Sequence, residues 1–356
     1  MDTATSELLV NAPGSVGARL LEHNMDVGCL RPFLDGDGQT CITVNEQGKP
    51  VSKRMITNAP ALLRYNEWER LDNAVVNGAR ERLKIVQDLR SQGLVYPISE
   101  GMGKSVLVTQ KASETTGATT GMDPLVGSDE DRQEFGTDEL PLFAVWKDFK
   151  ISLRELSVGR TGGSPLDVSM AEQCGRRVAE MLESITCGTA ASTLYTFGTR
   201  AAHGITNFPN RNTKSLTDPT GTWEPKTLVT EVLDMKNISQ QDGHYGPWQI
   251  YNGAGWDVYL DADYSDAKGD NTLRDRLNAI EGIQGCTTLD KLGEFDLVLV
   301  QMTSNTIRMA DAVDITTLQW EEMGGMLQRM KVLAIMVPQV RADFEDKCGI
   351  VHGSVA

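Results

Sequence analysis

The chain has 356 residues, 40% of them hydrophobic, enough to bury a sizeable core in one large domain or two. Its 49 acidic residues against 34 basic ones give a formal net charge of -15, a field that repels DNA and anionic membranes and argues against sequence-independent nucleic-acid binding. The start, "MDTATSELLVNAPG", has an early Asp and no basic region, so no signal peptide is expected, and no apolar run approaches the ~20 residues of a membrane span.

Residues 1–60 alternate turn residues with short apolar stretches ("NAPGSVG", "CLRPFLDGDGQTCITVNEQGKP", "ITNAPALL"), with no sustained helical period. They read as an extended arm that leans on something else for order. Within it, Asp35, Asp37, Gln39 and Glu46 mimic positions one, three, five and twelve of a calcium loop. Thr40 stands where the sharp turn needs glycine, and Arg31-Pro32 breaks any preceding helix, so a plain turn is expected.

A helix follows from Asn66 to Gly93, with Trp68, Leu71, Val75, Ala79, Leu83, Val86 and Leu89 in one apolar stripe, Asn66 and Glu69 resembling a capping box and Gly93 as the stop. "PISEGMGKSVLV" ends in the Gly-Lys-Ser of a phosphate-binding loop, yet Ile98 occupies the first glycine position. Val106-Leu107-Val108-Thr109 then reads as strand, leaving no helix N-terminus for a phosphate. Val106 also spoils a dinucleotide fingerprint. A turn into a hairpin is expected, with Gly101 and Gly103 supplying backbone freedom, Gly103 through a positive φ, and Lys104 at the foot facing a carboxylate.

From Val106 to about Leu156, a strand-like stretch leads into a Thr/Gly-rich segment and "MDPLVGSDEDRQEFGTDEL", with seven acids and one Arg. "PLFAVWKDFKISLREL" then resumes alternation at Phe143, Val145, Phe149, Ile151 and Leu153. The two strands read as a long hairpin with too few apolar residues to fold alone, so it is expected to lie on a neighbour. Ser164-Pro165-Leu166-Asp167 is a helix start, and Val168, Ala171, Cys174, Val178, Met181 and Ile185 make the stripe of a long helix ending at Gly188. Gly175 in its middle costs about 1 kcal/mol relative to Ala, which points to an element crossing closely there. Residues 200–300 read as mixed α/β, with helices in "KTLVTEVLDM" and "NTLRDRLNAIEGI" and strands in "PWQIYN" and "FDLVLVQM". From Ala310 strands dominate, and "VLAIMVP" suits a buried one.

Chemistry is sparse in this pattern. The cysteines Cys29, Cys41, Cys174, Cys187, Cys286 and Cys348 form no CxxC pair, and Cys174 and Cys187 would lie about 20 Å apart on one helix, which implies reduced thiols. The aspartates Asp257, Asp261, Asp263, Asp266 and Asp270 lack the glycine and final Glu of a calcium loop. His23, His203, His244 and His352 are isolated, with no zincin motif and no nucleophile elbow. No catalytic, cofactor-binding or metal-ligating residue is assigned, and no cofactor or enzymatic activity is expected.

The order of elements resembles the major capsid proteins of tailed bacteriophages, the Hong Kong 97-type fold, and the related encapsulin shell proteins. Pro141 to Thr189 carries the resemblance most specifically: "F-x-I-x-x-R-E-L" (Phe149 to Leu156), a glycine turn, the long helix, then "E-S-I-T-C-G" (Glu183 to Gly188), followed by "HGITNFPN" (His203 to Asn210). The resemblance implies an α+β fold divided into an N-terminal arm (1–60), an N-terminal helix of the peripheral P-domain (61–103), an extended E-loop hairpin (104–156), the P-domain spine helix (157–209), a mixed α/β axial A-domain (210–304), and P-domain strands with the C-terminus (305–356). It further implies a structural head protein that self-assembles into hexamers and pentamers around packaged double-stranded DNA. That DNA would be enclosed without sequence-specific binding. Portal, scaffold or decoration proteins would be partners, no membrane would be involved, and assembly would occur in the host cytoplasm. An encapsulin-type compartment shell is the alternative and an oligomeric enzyme with an unrecognised site the remote one. The Lys, Asn and Glu of the cross-linking branch cannot be placed, so no cross-link is assigned.

Overall fold

The structure is a computed structural model that describes residues 8–9, 33–34, 40–46, 49–56, 63–118, 120, 132–162, 168–190, 196–197, 200–221, 223–264, 271–323 and 326–355. At the N-terminal end, β1 (Leu8–Leu9), β2 (Phe33–Leu34), β3 (Thr40–Glu46) and β4 (Lys49–Ile56) form one sheet in the order β1-β4-β3-β2. The second half of the calcium-loop mimic is therefore strand, while Asp35, Asp37 and Gln39 lie outside the described residues. β2 meets the body where the Leu34 amide donates to the Leu63 carbonyl at 3.1 Å.

The stripe read as one helix is two, α1 (Tyr65–Arg80) and α2 (Lys84–Ser91). Leu83 leaves helical geometry at φ -89°, ψ 71°, and the new N-terminus gains an acceptor from elsewhere in the fold: Glu183 Oε1 takes the Ile85 amide at 3.0 Å. The stripe hides the break because Leu83, Val86 and Leu89 are buried on both sides of it. The start differs too. Glu67, not Glu69, reaches back to accept the Arg64 amide at 2.9 Å. Gly93, at φ +71°, ends α2 as its lack of a side chain allows.

After β5 (Val95–Pro97), a single turn at Gly101–Gly103 leads into β6 (Val106–Ala112), so a strand follows the Gly-Lys-Ser and the phosphate-loop reading fails. The glycine requirement sits at Gly101, where a Cβ would strike the Ala312 carbonyl. Gly103 has nothing within 4 Å of such a Cβ and is not among the positive-φ glycines.

The expected hairpin is redrawn. β6 pairs with β7 (Phe135–Pro141), from Val106↔Pro141 to Ala112↔Phe135. The alternating segment read as its return strand is β8 (Val145–Ser152), which pairs instead with a C-terminal strand. β8 is recruited to the body because Val145, Phe149 and Ile151 are buried there, whereas β7 carries polar residues on a ladder open to solvent. Beyond β8, "LREL" is helical. Ser152 and Glu155 cap α3 (Leu153–Gly162) reciprocally, the Ser152 amide donating to Glu155 Oε2 at 2.9 Å and the Glu155 amide to Ser152 Oγ at 3.2 Å.

α4 (Ser169–Cys187) is the long helix; the proposed start at Ser164–Asp167 falls outside the described residues, and Gly188 at φ +86° closes the helix. The expected close crossing at Gly175 is there. A Cβ on Gly175 would strike the Val75 carbonyl of α1, and one on Gly78 of α1 would strike the Glu172 carbonyl of α4, so the two helices meet backbone to backbone through paired glycines. Past the short pair β9 (Thr196–Phe197) and β10 (Arg200–Ala201), the Ile205 amide donates to the Thr186 carbonyl at 3.0 Å and docks this segment on the end of α4.

The next stretch builds β11 (Asn212–Leu216), α5 (Pro225–Gln241), β12 (Trp248–Gly253), α6 (Asp257–Leu260), α7 (Leu273–Asn278), β13 (Ile283–Leu289) and β14 (Leu297–Gln301). β15 (Ile307–Glu322) and β16 (Leu327–Val340) form a long antiparallel pair, with "VLAIMVP" buried inside β16 as expected, and β17 (Ile350–Val355) ends the chain. Two sheets result. The first, β5-β15-β16-β8, carries α1, α2 and α4 on one face. The second, β11-β17-β14-β12-β13, has its own core of Leu228, Trp248, Trp256, Leu277 and Leu299. The expected 305–356 unit is thus divided. β15 and β16 lie in the first sheet, and β17 inserts in the second between β14 and β11, where Ile350 and Val351 are fully buried.

Candidate assembly site

Two features of this fold bear on function: the root of the β6–β7 hairpin and the seam between the two bodies. At the root, Leu107 and Leu140 pack with Ile98, Ala310 and Val337 on the face of the first sheet away from the helices, and Gln339 donates to Thr109 Oγ1 at 3.1 Å. A cavity of about 270 Å³ opens beside it, lined by Lys111, Asp138, His203, Asn210, Gln339 and Asp346 among others. Further out, Lys111 pairs with Asp138 at 3.0 Å, and Ser113 and Glu134 exchange two bonds at 2.9 Å. Val108 (55% exposed) and Phe135 (67%) face solvent there, an apolar exposure that two paired strands cannot remove on their own.

The seam runs along α2. Arg82 donates to Asp290 at 2.8 Å, Lys84 to the Thr288 carbonyl at 2.7 Å, Tyr251 to Asp88 at 3.1 Å and Gln92 to Gln284 at 2.7 Å, so one helix of the first body is laced to β12, β13 and the turn after β13. Behind these bonds lies Glu183, 4% exposed, on the same α4 face as Gly175, Ala179 and Cys187. Burial pushes its carboxyl up to about 7, against the opposing pull of the Ile85 and Lys84 amides it accepts from. Its Oε2 has no hydrogen-bond partner among the described residues, and it borders a cavity of about 20 Å³, water-sized, shared with Glu81, Arg82, Lys84, Asp290 and Lys291. Burial also raises the Asp88 carboxyl, and raises the Cys187 thiol and Tyr251 hydroxyl well above their ordinary values. The sequence reading missed Glu183 as a buried group. The signal was available in the spacing: Gly175, Ala179, Glu183 and Cys187 recur every four residues, a small-residue stripe whose one charged member must be buried with it.

The remaining sequence motifs do not converge. Asp257 and Asp261 both accept from Arg274, at 2.7 and 3.0 Å, and Asp266 and Asp270 lie outside the described residues. His203 packs edge-on to Phe208, His352 Nε2 lies 3.5 Å from Asp296 Oδ2, and His23 is outside the described residues. Cys41, Cys174, Cys187, Cys286 and Cys348 are free thiols, and Lys104 is exposed with no carboxylate partner among the described residues. Among those residues no three His, Cys, Asp or Glu side chains are grouped to hold a metal ion, and no helix is long and apolar enough to cross a membrane.

A two-sheet α+β body, a long glycine-crossed helix and a projecting hairpin define a class, and solved structures share it. The structure aligns over 75% of its length with 91% of a chain from the capsid of Myoviridae phage XM1 (TM-score 0.57, 10% identity). It aligns over 81% with 99% of a chain from a virus-like particle from Pyrococcus furiosus (TM-score 0.56, 16% identity). The fold is the Hong Kong 97-type fold of capsid and encapsulin shells. By sequence, the Type 1 encapsulin shell protein EncA of Myxococcus xanthus is 27% identical over 195 residues, which span 53% of this chain and 60% of that protein. The chain itself belongs to the family described as a family of unknown function, DUF6260, whose profile matches residues 58–353.

Proposed function

We propose that this protein is the major capsid protein of a tailed bacteriophage, a non-enzymatic subunit that closes into an icosahedral shell of hexamers and pentamers around packaged double-stranded DNA. The observation that carries the reading is the β6–β7 hairpin, rooted on the body through Leu107 and Leu140 and leaving Val108 and Phe135 open to solvent. A free subunit gains nothing from such a projection, whereas a ring of subunits covers it, each hairpin lying on the next body. In this reading the hairpin within residues 104–156 is the E-loop, α4 is the spine helix, the first sheet belongs to the peripheral domain and the second to the axial domain. Portal and scaffold or decoration proteins complete the head, which assembles in the host cytoplasm. A charge of -15 suits a container filled by a motor rather than one that holds DNA by affinity.

A compartment shell is the second reading, favoured by the 27% identity to an encapsulin. Expression of the full chain followed by electron microscopy and nuclease protection separates the readings. Closed particles in the producing host with a portal and nuclease-resistant DNA support the head. Particles loaded with protein cargo and free of DNA support the compartment, and small discrete oligomers refute both.

A further inference from the structure

In the seam between the two bodies, Glu183 has one oxygen to spare. Its Oε1 takes the Ile85 amide at 3.0 Å, while Oε2 has no hydrogen-bond partner among the described residues and borders the water-sized cavity of about 20 Å³. Lys84 lines the same cavity. It is the first residue of α2 and immediately precedes the amide that Glu183 accepts. Its ammonium reaches across the seam and donates to the Thr288 carbonyl on β13 at 2.7 Å. Thr288 Oγ1 in turn donates to Asp257 Oδ1 at 2.6 Å, and the Lys84 charge pulls on both carboxyls, Asp257 and Glu183. One cation thus stands between two acceptor sites, one on each body.

The other charges at the cavity are placed differently. Arg82 bonds Asp290 at 2.8 Å and lies 3.8 Å from Glu180, which also pairs with Arg177 at 2.8 Å. Glu81, after the end of α1, is exposed. Asp88 on α2 accepts from Tyr251 on β12 at 3.1 Å, and its charge opposes ionisation of Glu183. Cys187, one turn along α4, is a thiol raised well above its ordinary value. Lys291, in the turn after β13, has no acceptor for its ammonium among the described residues and is the rival cation, its charge acting on Cys187. A buried carboxylate that loses its proton needs a counter-charge at its open oxygen, because no solvent replaces the lost hydration there. Burial keeps the proton on Glu183 up to about 7, so that need arises close to neutral pH.

We infer that Lys84 is a two-position latch governed by the proton on Glu183. With the proton in place, the ammonium holds the Thr288 carbonyl of the second body. With the proton gone, it turns to Glu183 Oε2 and releases that body. The inference goes beyond the shell reading and does not rest on it, since every group it uses belongs to one subunit.

Hydrogen exchange of the full chain, read by mass spectrometry at pH 6 and pH 8.5 and corrected for the intrinsic rate at each pH, tests it. In the parent, the β13 segment Ile283–Leu289 should lose roughly tenfold in protection at pH 8.5, the scale of one hydrogen bond to a charged group. Glu183→Gln cannot ionise and should keep the higher protection at both pH values. Lys84→Met has no ammonium to move, so its β13 should show the lower protection already at pH 6 and stay there. Lys84→Gln replaces it where Lys84→Met does not fold, and should likewise show no change with pH. Lys291→Met should respond as the parent does. Circular dichroism shows whether each variant folds. Protection in the parent that is unchanged by pH, or that increases with it, overturns the inference. So does a folded Lys84 variant that keeps the parental response. A Lys291→Met protein that loses the response overturns it as well, because Lys291 would then be the partner of the ionised carboxylate. The measurement needs no shells, so its failure leaves the shell reading standing.

Discussion

Glu183→Gln isolates the buried carboxylate of the seam. Glu183 has its carboxyl raised from the ordinary 4.5 to about 7, chiefly because burial penalises the charged form, with the Ile85 and Lys84 amides pulling the other way. Below pH 4.5 the group is protonated in both folded and unfolded chains and contributes no pH dependence. Between 4.5 and about 7 the unfolded chain ionises while the folded one keeps its proton, so the folded state binds more protons and stability falls as pH rises. Above about 7 the penalty is complete. At about 1.4 kcal/mol per pH unit, the interval amounts to about 3 kcal/mol. Gln keeps an oxygen for the Ile85 amide and removes the titration. Urea unfolding of the unassembled subunit, parent against Glu183→Gln, should therefore show the variant gaining on the parent by about 3 kcal/mol as pH is raised across that window. Taking the difference between the two proteins cancels groups that titrate independently of Glu183; Asp88, whose charge raises the Glu183 carboxyl, is coupled to it and shares in the difference. A difference that stays flat with pH would refute the burial argument. A parent that gains on the variant as pH rises would mean that Glu183 sits as an ion beside Lys84 or Lys291.

Four other outcomes follow from the same geometry. Gly175→Ala should destabilise the subunit despite a gain of about 1 kcal/mol in helix propensity, because forcing the helices apart at the Val75 carbonyl costs about 1–3 kcal/mol; urea unfolding measures the balance. Gly101→Ala should lower the thermal midpoint and Lys104→Ala should leave it unchanged, and neither the parent nor Lys104→Ala should bind ATP in a calorimeter. Replacing residues 114–133 with a short Gly-Ser turn should spare the melting transition of the subunit and abolish shells seen by electron microscopy, since the Ser113–Glu134 pair still closes the ladder. Deleting residues 1–55 should leave the circular-dichroism helix signal intact, because α1 and α4 lie outside the deletion, while shells become absent or fragile.

The body was legible where one physical constraint dominates a segment. The stripe of α4, the stop at Gly188 and the crossing at Gly175 follow from apolar spacing and the cost of an unpaid-for glycine, and the strands β12, β14, β15 and β16 follow from runs of β-branched residues. Errors came where a distant group decides. The break at Leu83 is stabilised by a carboxylate from α4, a hundred residues away, so a continuous stripe concealed it. Alternation marks a half-buried strand, and "VWKDFKIS" shows it, so the sequence pattern points to that stretch as the return strand of the hairpin. The true partner, "FGTDELP", borders solvent and has little apolar pattern to show. The Ser-x-x-Glu spacing of Ser152 and Glu155 marks the helix start, while the strand alternation before it points on to Leu153 and hides the boundary.

The assembly surfaces were legible in a different way, through imbalance rather than pattern. An excess of six acids over "MDPLVGSDEDRQEFGTDEL" shows that a hairpin needs cations from somewhere, but not from where. Exposed charge pairs weaken as salt rises, so if the hairpin's acids meet cations of a neighbouring subunit, shell yield should fall with ionic strength. A yield indifferent to salt would place the contact on apolar surface such as Val108 and Phe135 instead.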